Sequence, residues 1–116
     1  MIPREAIKEF CLTLPGAYLD YPFDEEWQAL RIRENHKSFA FIFKHQGKLY
    51  VNVKCEPLKA QFLREMYLQI IPGYHMNKKH WNSIVVDEDL SEGLLWQLIK
   101  ESHELVYPKK KVKKNE

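Results

Sequence analysis

Apolar and polar positions repeat with two different periods along this chain, and the switches between them outline its elements. Near the N-terminus, Ala6, Ile7, Phe10, Cys11 and Leu14 recur at helical spacing. Pro3 suits the first turn of that helix, where its missing N–H costs nothing, and Pro15-Gly16 ends the run. Residues 18–26, with Pro22 and a cluster of acids, read as loop. From Trp27 to Arg33 the period drops to two, with Leu30 and Ile32 on one side and Ala29, Arg31 and Arg33 on the other. Residues 37–44 and 49–54 read as two further strands around a turn at His45-Gln46-Gly47.

The length of that turn decides which side chains share a face. A three-residue loop pairs Phe39, Phe41 and Phe43 with Val53, Val51 and Leu49, giving one wholly apolar face. A two-residue loop sets Phe41 against Asn52 and Phe39 against Lys54, forfeiting burial of about 1.5–3 kcal/mol per side chain. The three-residue loop is therefore expected, with Ala40, Ile42, Tyr50, Asn52 and Lys54 on the opposite face.

Pro57 opens a second helix with Leu58, Phe62 and Leu63 on its inner side. Ile70-Ile71-Pro72-Gly73 reads as an extended stretch and a turn, and residues 82–86 as a short β-branched strand. Asp89 and Glu92 fit an acidic capping box. A third helix follows, with Leu95, Leu98, Ile99, Ser102, Leu105 and Val106 at helical spacing. Gly93 near its start costs it about 1 kcal/mol relative to alanine, and Pro108 stops it. There is no internal repeat or linker. Helix, three strands, helix, strand, helix is an order that suits an α+β fold: an antiparallel sheet with helices packed on one face, in one domain spanning residues 1–108.

Size and composition add constraints. A chain of 116 residues can bury a core without a disulfide or metal staple. Cys11 and Cys55 read as free thiols in a reducing compartment, since no export signal precedes them. No apolar run approaches the ~20 residues needed to span a bilayer. A cytoplasmic protein with no membrane partner is expected.

The formal charge of +2 is concentrated at the end, in Lys109, Lys110, Lys111, Lys113 and Lys114. Residues 109–116 are expected to form a disordered basic tail. The remaining body is slightly acidic, which disfavours general polyanion binding. Residues 31–54 run the other way: Arg31, Arg33, Lys37, Lys44, Lys48 and Lys54 face Glu34 alone. A local basic surface is therefore available.

The densest polar cluster is Tyr74-His75-Met76-Asn77-Lys78-Lys79-His80-Trp81. Its lysines and histidines can meet phosphates, its asparagine a base edge, and its aromatics base faces. The same residues also read as turn chemistry, with Tyr74, Met76 and Trp81 inward and His75 and Asn77 bonded to turn backbone. The second candidate is an uncovered sheet face carrying Arg31, Arg33, Tyr50, Asn52 and Lys54. Signatures of catalysis are missing: there is no GxSxG, no phosphate loop, no HExxH, and no histidine near either cysteine in sequence. His75 and His80 lack the spacing that aligns two ligands on one helix turn. No catalytic residue, metal or cofactor is expected.

The run from Pro72 to Trp81 resembles the signature of the MmcQ/YjbR family. So do Leu14-Pro15-Gly16-Ala17, Tyr21-Pro22-Phe23, and Val51-Asn52-Val53-Lys54-Cys55 followed by Pro57. The likeness extends from about Ala6 to Val106, and the His-x-Asn-Lys-x-His-Trp core is its specific part. It implies a CyaY-like, that is frataxin-like, fold and the family's label of DNA binding through a double-wing arrangement. It marks Asn52, Lys54, His75, Asn77, Lys78, His80 and Trp81, and implies no catalytic residue.

The leading expectation is a DNA-binding module acting through the basic, aromatic sheet face and the His75–Trp81 loop. The alternative is a protein- or small-anion-binding module, with a carboxylate or phosphate held between Lys54 and that loop. An enzyme or metal protein would need His75, His80 and a carboxylate of residues 87–89 to converge.

Overall fold

A computed structural model describes residues 1–109. The predicted disordered tail, apart from Lys109, lies outside the described residues. The elements in chain order are α1 (Arg4–Leu12), β1 (Ala17–Asp20), β2 (Gln28–Ile32), β3 (Ser38–His45), β4 (Lys48–Lys54), α2 (Pro57–Met66), β5 (Ile70–Pro72), β6 (Trp81–Val86) and α3 (Glu92–Val106). The strands form one antiparallel sheet in the order β1-β2-β3-β4-β6-β5.

All three helices pack on one face of this sheet, as the order of elements predicts. Ile7 and Cys11 of α1, Ala60 and Leu63 of α2, and Leu95, Leu98, Ile99 and Val106 of α3 share one core. The sheet contributes Leu30, Ile32, Ala40, Ile42, Leu49, Val51, Val53 and Ile84. Ser102 sits inside this core as an adaptor. Its hydroxyl donates to the Phe39 carbonyl at 2.6 Å and accepts from the Lys54 amide at 2.8 Å, joining α3 to β3 and β4.

Two strands exceed the predicted set. Residues 18–20, expected as loop, belong to edge strand β1, whose register with β2 puts Leu19 opposite Leu30. The stretch read only as extended is β5, three residues at the other edge. Both strands are too short to show a clear period of two.

The central hairpin differs from the expected register. It closes through two residues, Gln46 at φ 51° and Gly47 at φ 77°, a mirror-image turn whose twist matches that of the strands. Phe41 therefore stands opposite Asn52, and Phe43 opposite Tyr50. Burial is not forfeited, because neither face is left in water. Ala40 and Ile42 meet the helices instead of facing outward, while Phe41 and Phe43 lie under a second, aromatic layer described below. A bulge in the β2–β3 pairing leaves Phe39 as the extra residue between Ala40 and Ser38. Its ring meets that of His103 on α3 edge-on, at 5.0 Å.

Two helix details also change. On α2, Leu58 is 84% and Phe62 56% exposed, while Ala60 and Leu63 face inward. The helix lies close to the sheet: the Ala60 carbonyl accepts from Asn82 Nδ2 at 3.3 Å, and Ala60 itself is fully buried. The cap of α3 is Ser91, whose Oγ accepts from the Leu94 amide at 3.2 Å. Asp89 instead gives its amide to Asp87 Oδ1 in the preceding turn.

Candidate functional site

The sheet face opposite the helices carries Arg31 on β2, Phe41 and Phe43 on β3, Tyr50, Asn52 and Lys54 on β4, and Trp81 and Ser83 on β6. It was expected to be uncovered. Two loops cover its middle, residues 21–27 and 73–80, each bringing aromatic rings. Trp27 stacks on Phe43 with centroids 3.9 Å apart and planes 5° from parallel. Tyr74 lies over Phe43 at 5.9 Å and beside His45 at 4.6 Å. Tyr50 stacks on the Phe43 ring at 5.3 Å.

The 73–80 loop is held by a closed polar network. Asn52 Nδ2 donates to the Tyr74 carbonyl at 3.0 Å, the Tyr74 amide donates to Ser83 Oγ at 2.8 Å, and the Ser83 hydroxyl donates to Asn52 Oδ1. Both side chains are fully buried. The loop's return arm is held by Arg64 of α2. Its guanidinium bonds Asn82 Oδ1 at 2.6 Å, the Trp81 carbonyl at 3.3 Å and the Lys78 carbonyl. Gly73 admits the loop: a Cβ there would stand 2.8 Å from Trp81 Cβ and 2.9 Å from its carbonyl oxygen.

These contacts sort the eleven sequence-selected residues. Asn52 is structural, with both amide atoms engaged inside the protein. Asn77 is also a turn residue, its Oδ1 accepting from the Lys79 amide at 2.9 Å. Tyr50 belongs to the aromatic layer. His75 is exposed at the loop's bend, at φ 59°, with its ring 4.0 Å from that of Tyr74. Trp81 is half-buried, 5.8 Å from Phe41. Arg31 is committed to Asp20 at 2.8 Å and to the His36 carbonyl at 3.2 Å. Arg33 lies beyond the end of β2, exposed, with its guanidinium carbon 5.4 Å from the Tyr18 ring centroid.

What remains gathers at one end of the sheet. Antiparallel pairing brings the end of β2, the start of β3, the end of β4 and the start of β6 together. Arg33 and Lys37 of the β2–β3 turn, Lys54, and Lys78, Lys79 and His80 therefore share this end. Lys54 and Trp81 are direct register partners, and the Cys55 amide donates to the His80 carbonyl at 2.8 Å. Among the described residues, the ion pairs involve none of Arg33, Lys37, Lys54, Lys78 and Lys79. Lys109 leaves α3 nearby and lines a 300 Å³ cavity with Lys54. That cavity also holds Glu56, Glu101 and Glu104, so three carboxylates offset its lysines and it makes a poor small-anion site. Glu101 is paired with Lys59, which holds the Lys59 ammonium above the usual lysine range.

The opposite end is acidic, with Asp24 and Glu25 in the β1–β2 loop and Asp87, Glu88 and Asp89 after β6. Lys44 and Lys48, part of the basic 31–54 segment in sequence, lie at this acidic end, flanking the hairpin turn. Glu26 is held below the usual carboxylate range by the Arg4 guanidinium, which pins the 21–27 loop to α1. Sequence reading missed Arg64, Ser83 and Trp27. A lone arginine on a helix and a lone tryptophan beside acids give no local signal of what they reach.

Catalytic groupings are scarce. Among the described residues, no three His, Cys, Asp or Glu side chains cluster as metal ligands, so His75, His80 and the 87–89 acids do not converge. Cys11 is fully buried and its thiol is pushed up to about 12 by desolvation. Burial likewise raises Cys55. No helix among the described residues is long and apolar enough to cross a membrane.

The chain has clear relatives. It is 39% identical to the uncharacterised protein YbdF of Escherichia coli O157:H7, across 89% of this chain and 83% of that one. It is 32% identical to the uncharacterised protein YyaQ of Bacillus subtilis, across 90% and 98%. The crystal structure of Deinococcus radiodurans protein DR2400 superposes with a TM-score of 0.80 at 30% identity, covering 88% of this chain and 76% of that one. A Pseudomonas syringae protein shares the fold at a TM-score of 0.81 and 21% identity, covering 91% and 100%. The family model named YjbR matches residues 12–105, a span that holds the hairpin, the Asn52–Ser83 network and the whole 73–80 loop, and so the chain belongs to the YjbR family.

Proposed function

We propose that this protein binds the phosphate backbone of nucleic acid through the basic end of its sheet. The observation that carries this reading is the convergence of Arg33, Lys37, Lys54, Lys78 and Lys79, all without an ion-pair partner among the described residues, on one end of the sheet. Cations on turns and strand ends can follow a phosphate chain without a deep groove. Trp81, half-buried among them, offers an edge for an unpaired base. Readout of base sequence is not part of this reading: Asn52, the best-placed amide, is occupied, and Asn77 caps its own turn. The DNA-binding label implied by the family resemblance agrees with the charge but moves from the sheet face to the sheet end.

Fluorescence anisotropy with labelled duplex and single-stranded oligonucleotides tests the reading. Binding is expected at low salt, falling as salt rises, with a log–log slope of about 0.7–0.9 per phosphate contacted. The triple variant Lys54→Ala/Lys78→Ala/Lys79→Ala should reduce both affinity and slope. Absence of binding at low salt rules the reading out. Binding lost only when the chain is cut after Lys109 assigns it to the tail instead.

A further inference from the structure

A second candidate site, built by residues other than those of the basic end, lies over the covered middle of the sheet face. A cavity of 240 Å³ opens between the two loops that cover the sheet, lined by Phe23, Asp24, Trp27, Phe41, His75 and Met76. Its volume is below the ~300–1,000 Å³ typical of pockets for whole drug-sized molecules, so it suits a head group.

The walls are aromatic and set at steep angles. Phe23 meets Trp27 at 82° with centroids 5.8 Å apart, and Phe41 meets Trp27 at 66° and 6.2 Å. One face of Trp27 is stacked on Phe43, and Phe23 and Phe41 line the same space without lying parallel to Trp27. Phe23 is 74% exposed, a large apolar ring kept in water at the mouth. The fold does not need it there for the core, whereas a wall of a binding box must stand in that position. Negative charge completes the picture. Asp24 lines the cavity, Glu25 follows it, and Asp24, Tyr21 and Glu25 line a second hollow alongside.

Aromatic faces attract cations through the ring quadrupole, and the acidic surroundings add a long-range pull of the same sign. The kind of cation follows from hydrogen bonding. Asp24 Oδ1 already accepts from the Glu26 and Trp27 amides, at 2.9 and 3.2 Å, which leaves its Oδ2 as the carboxylate oxygen open to a ligand, against the three N–H groups of a primary ammonium. A primary ammonium would enter with three N–H groups to satisfy and would lose water it could not replace. A fully methylated ammonium keeps the charge and has no N–H. From this geometry we infer that the Phe23–Trp27–Phe41 cavity is a cage for a quaternary, trimethylammonium-type group, carried on a small molecule or on a trimethylated lysine side chain.

Amide and indole N–H spectra of the full chain provide the test, with the Trp27 indole signal identified by its loss in Trp27→Phe. Tetramethylammonium and choline should shift the Trp27, His75 and Met76 signals saturably. The neutral carbon analogue of choline, 3,3-dimethylbutanol, and potassium chloride at matched ionic strength should not. Phe23→Ala, which removes an exposed ring and leaves the core intact, should weaken choline binding by about 5-fold or more, and Asp24→Asn by a smaller factor. A short peptide carrying trimethyl-lysine that binds more tightly than choline assigns the group to a protein partner; the reverse order assigns it to a small molecule. No saturable shift with either cation, equal binding of the neutral analogue, or unchanged affinity in Phe23→Ala would each overturn the inference.

Discussion

At the residue scale, Asn52 and Asn77 show how one residue type in one neighbourhood can do two unrelated jobs. Both stood out in the sequence, Asn77 as a group able to read a base edge and Asn52 as part of the candidate sheet face. Asn52 instead locks a loop to a sheet through three bonds closed on themselves, away from solvent. Removing it strands the Tyr74 carbonyl and the Ser83 hydroxyl. Asn52→Ala should therefore cost about 2 kcal/mol or more in urea unfolding, whereas Asn77→Ala, at an exposed turn, should cost less than about 1 kcal/mol. A reversed order would show that the loop is held mainly by its own turn. The cysteines give a second check. Cys11 has no exposure, and its raised thiol leaves almost no thiolate near neutral pH. Reaction with an aromatic disulfide reagent at pH 8 should follow global unfolding at Cys11. Rapid native-state labelling there would contradict its burial.

At the scale of elements, the helices were legible because each buries one stripe against one sheet. The hairpin register was not, because the comparison of loop lengths assumed a wet outer face. Once the 21–27 and 73–80 loops add an aromatic layer, both faces of β3 and β4 bury apolar groups, and the twist of the two-residue turn decides the register. Nothing local to residues 37–54 announces a cover supplied by distant loops. On α2 two apolar faces competed, and the face with small Ala60 won because the sheet approaches it closely. The glycines at 73 and 93 separate backbone proximity from helix propensity. Gly73→Ala should destabilise the protein and loosen the 73–80 loop, since its Cβ would meet Trp81 backbone. Gly93→Ala would meet only Ser91 Oγ, at an ordinary contact distance of 3.8 Å, and should stabilise α3 by up to about 1 kcal/mol. Thermal melts of the two variants should shift in opposite directions; a shared direction would refute one of these placements.

At the scale of the whole molecule, the chain's charge is ordered by topology and not by sequence blocks. The basic run from Arg31 to Lys54 crosses the sheet twice, so strand direction divides it. Arg33, Lys37 and Lys54 join Lys78 and Lys79 at one end, while Lys44 and Lys48 go to the acidic other. A weakly charged body can thereby gather five cations that lack an ion-pair partner among the described residues at one end, with Glu34 and Glu56 beside them, an excess that a count along the sequence averages away. The most direct test is a map of backbone amide shifts when a short duplex is added to the isotope-labelled full chain at low salt. The expected perturbations fall on Arg33, Lys37, Lys54 and residues 78–81. Shifts centred on Lys44, Lys48 and the acidic loops, or spread evenly over the surface, would contradict the account.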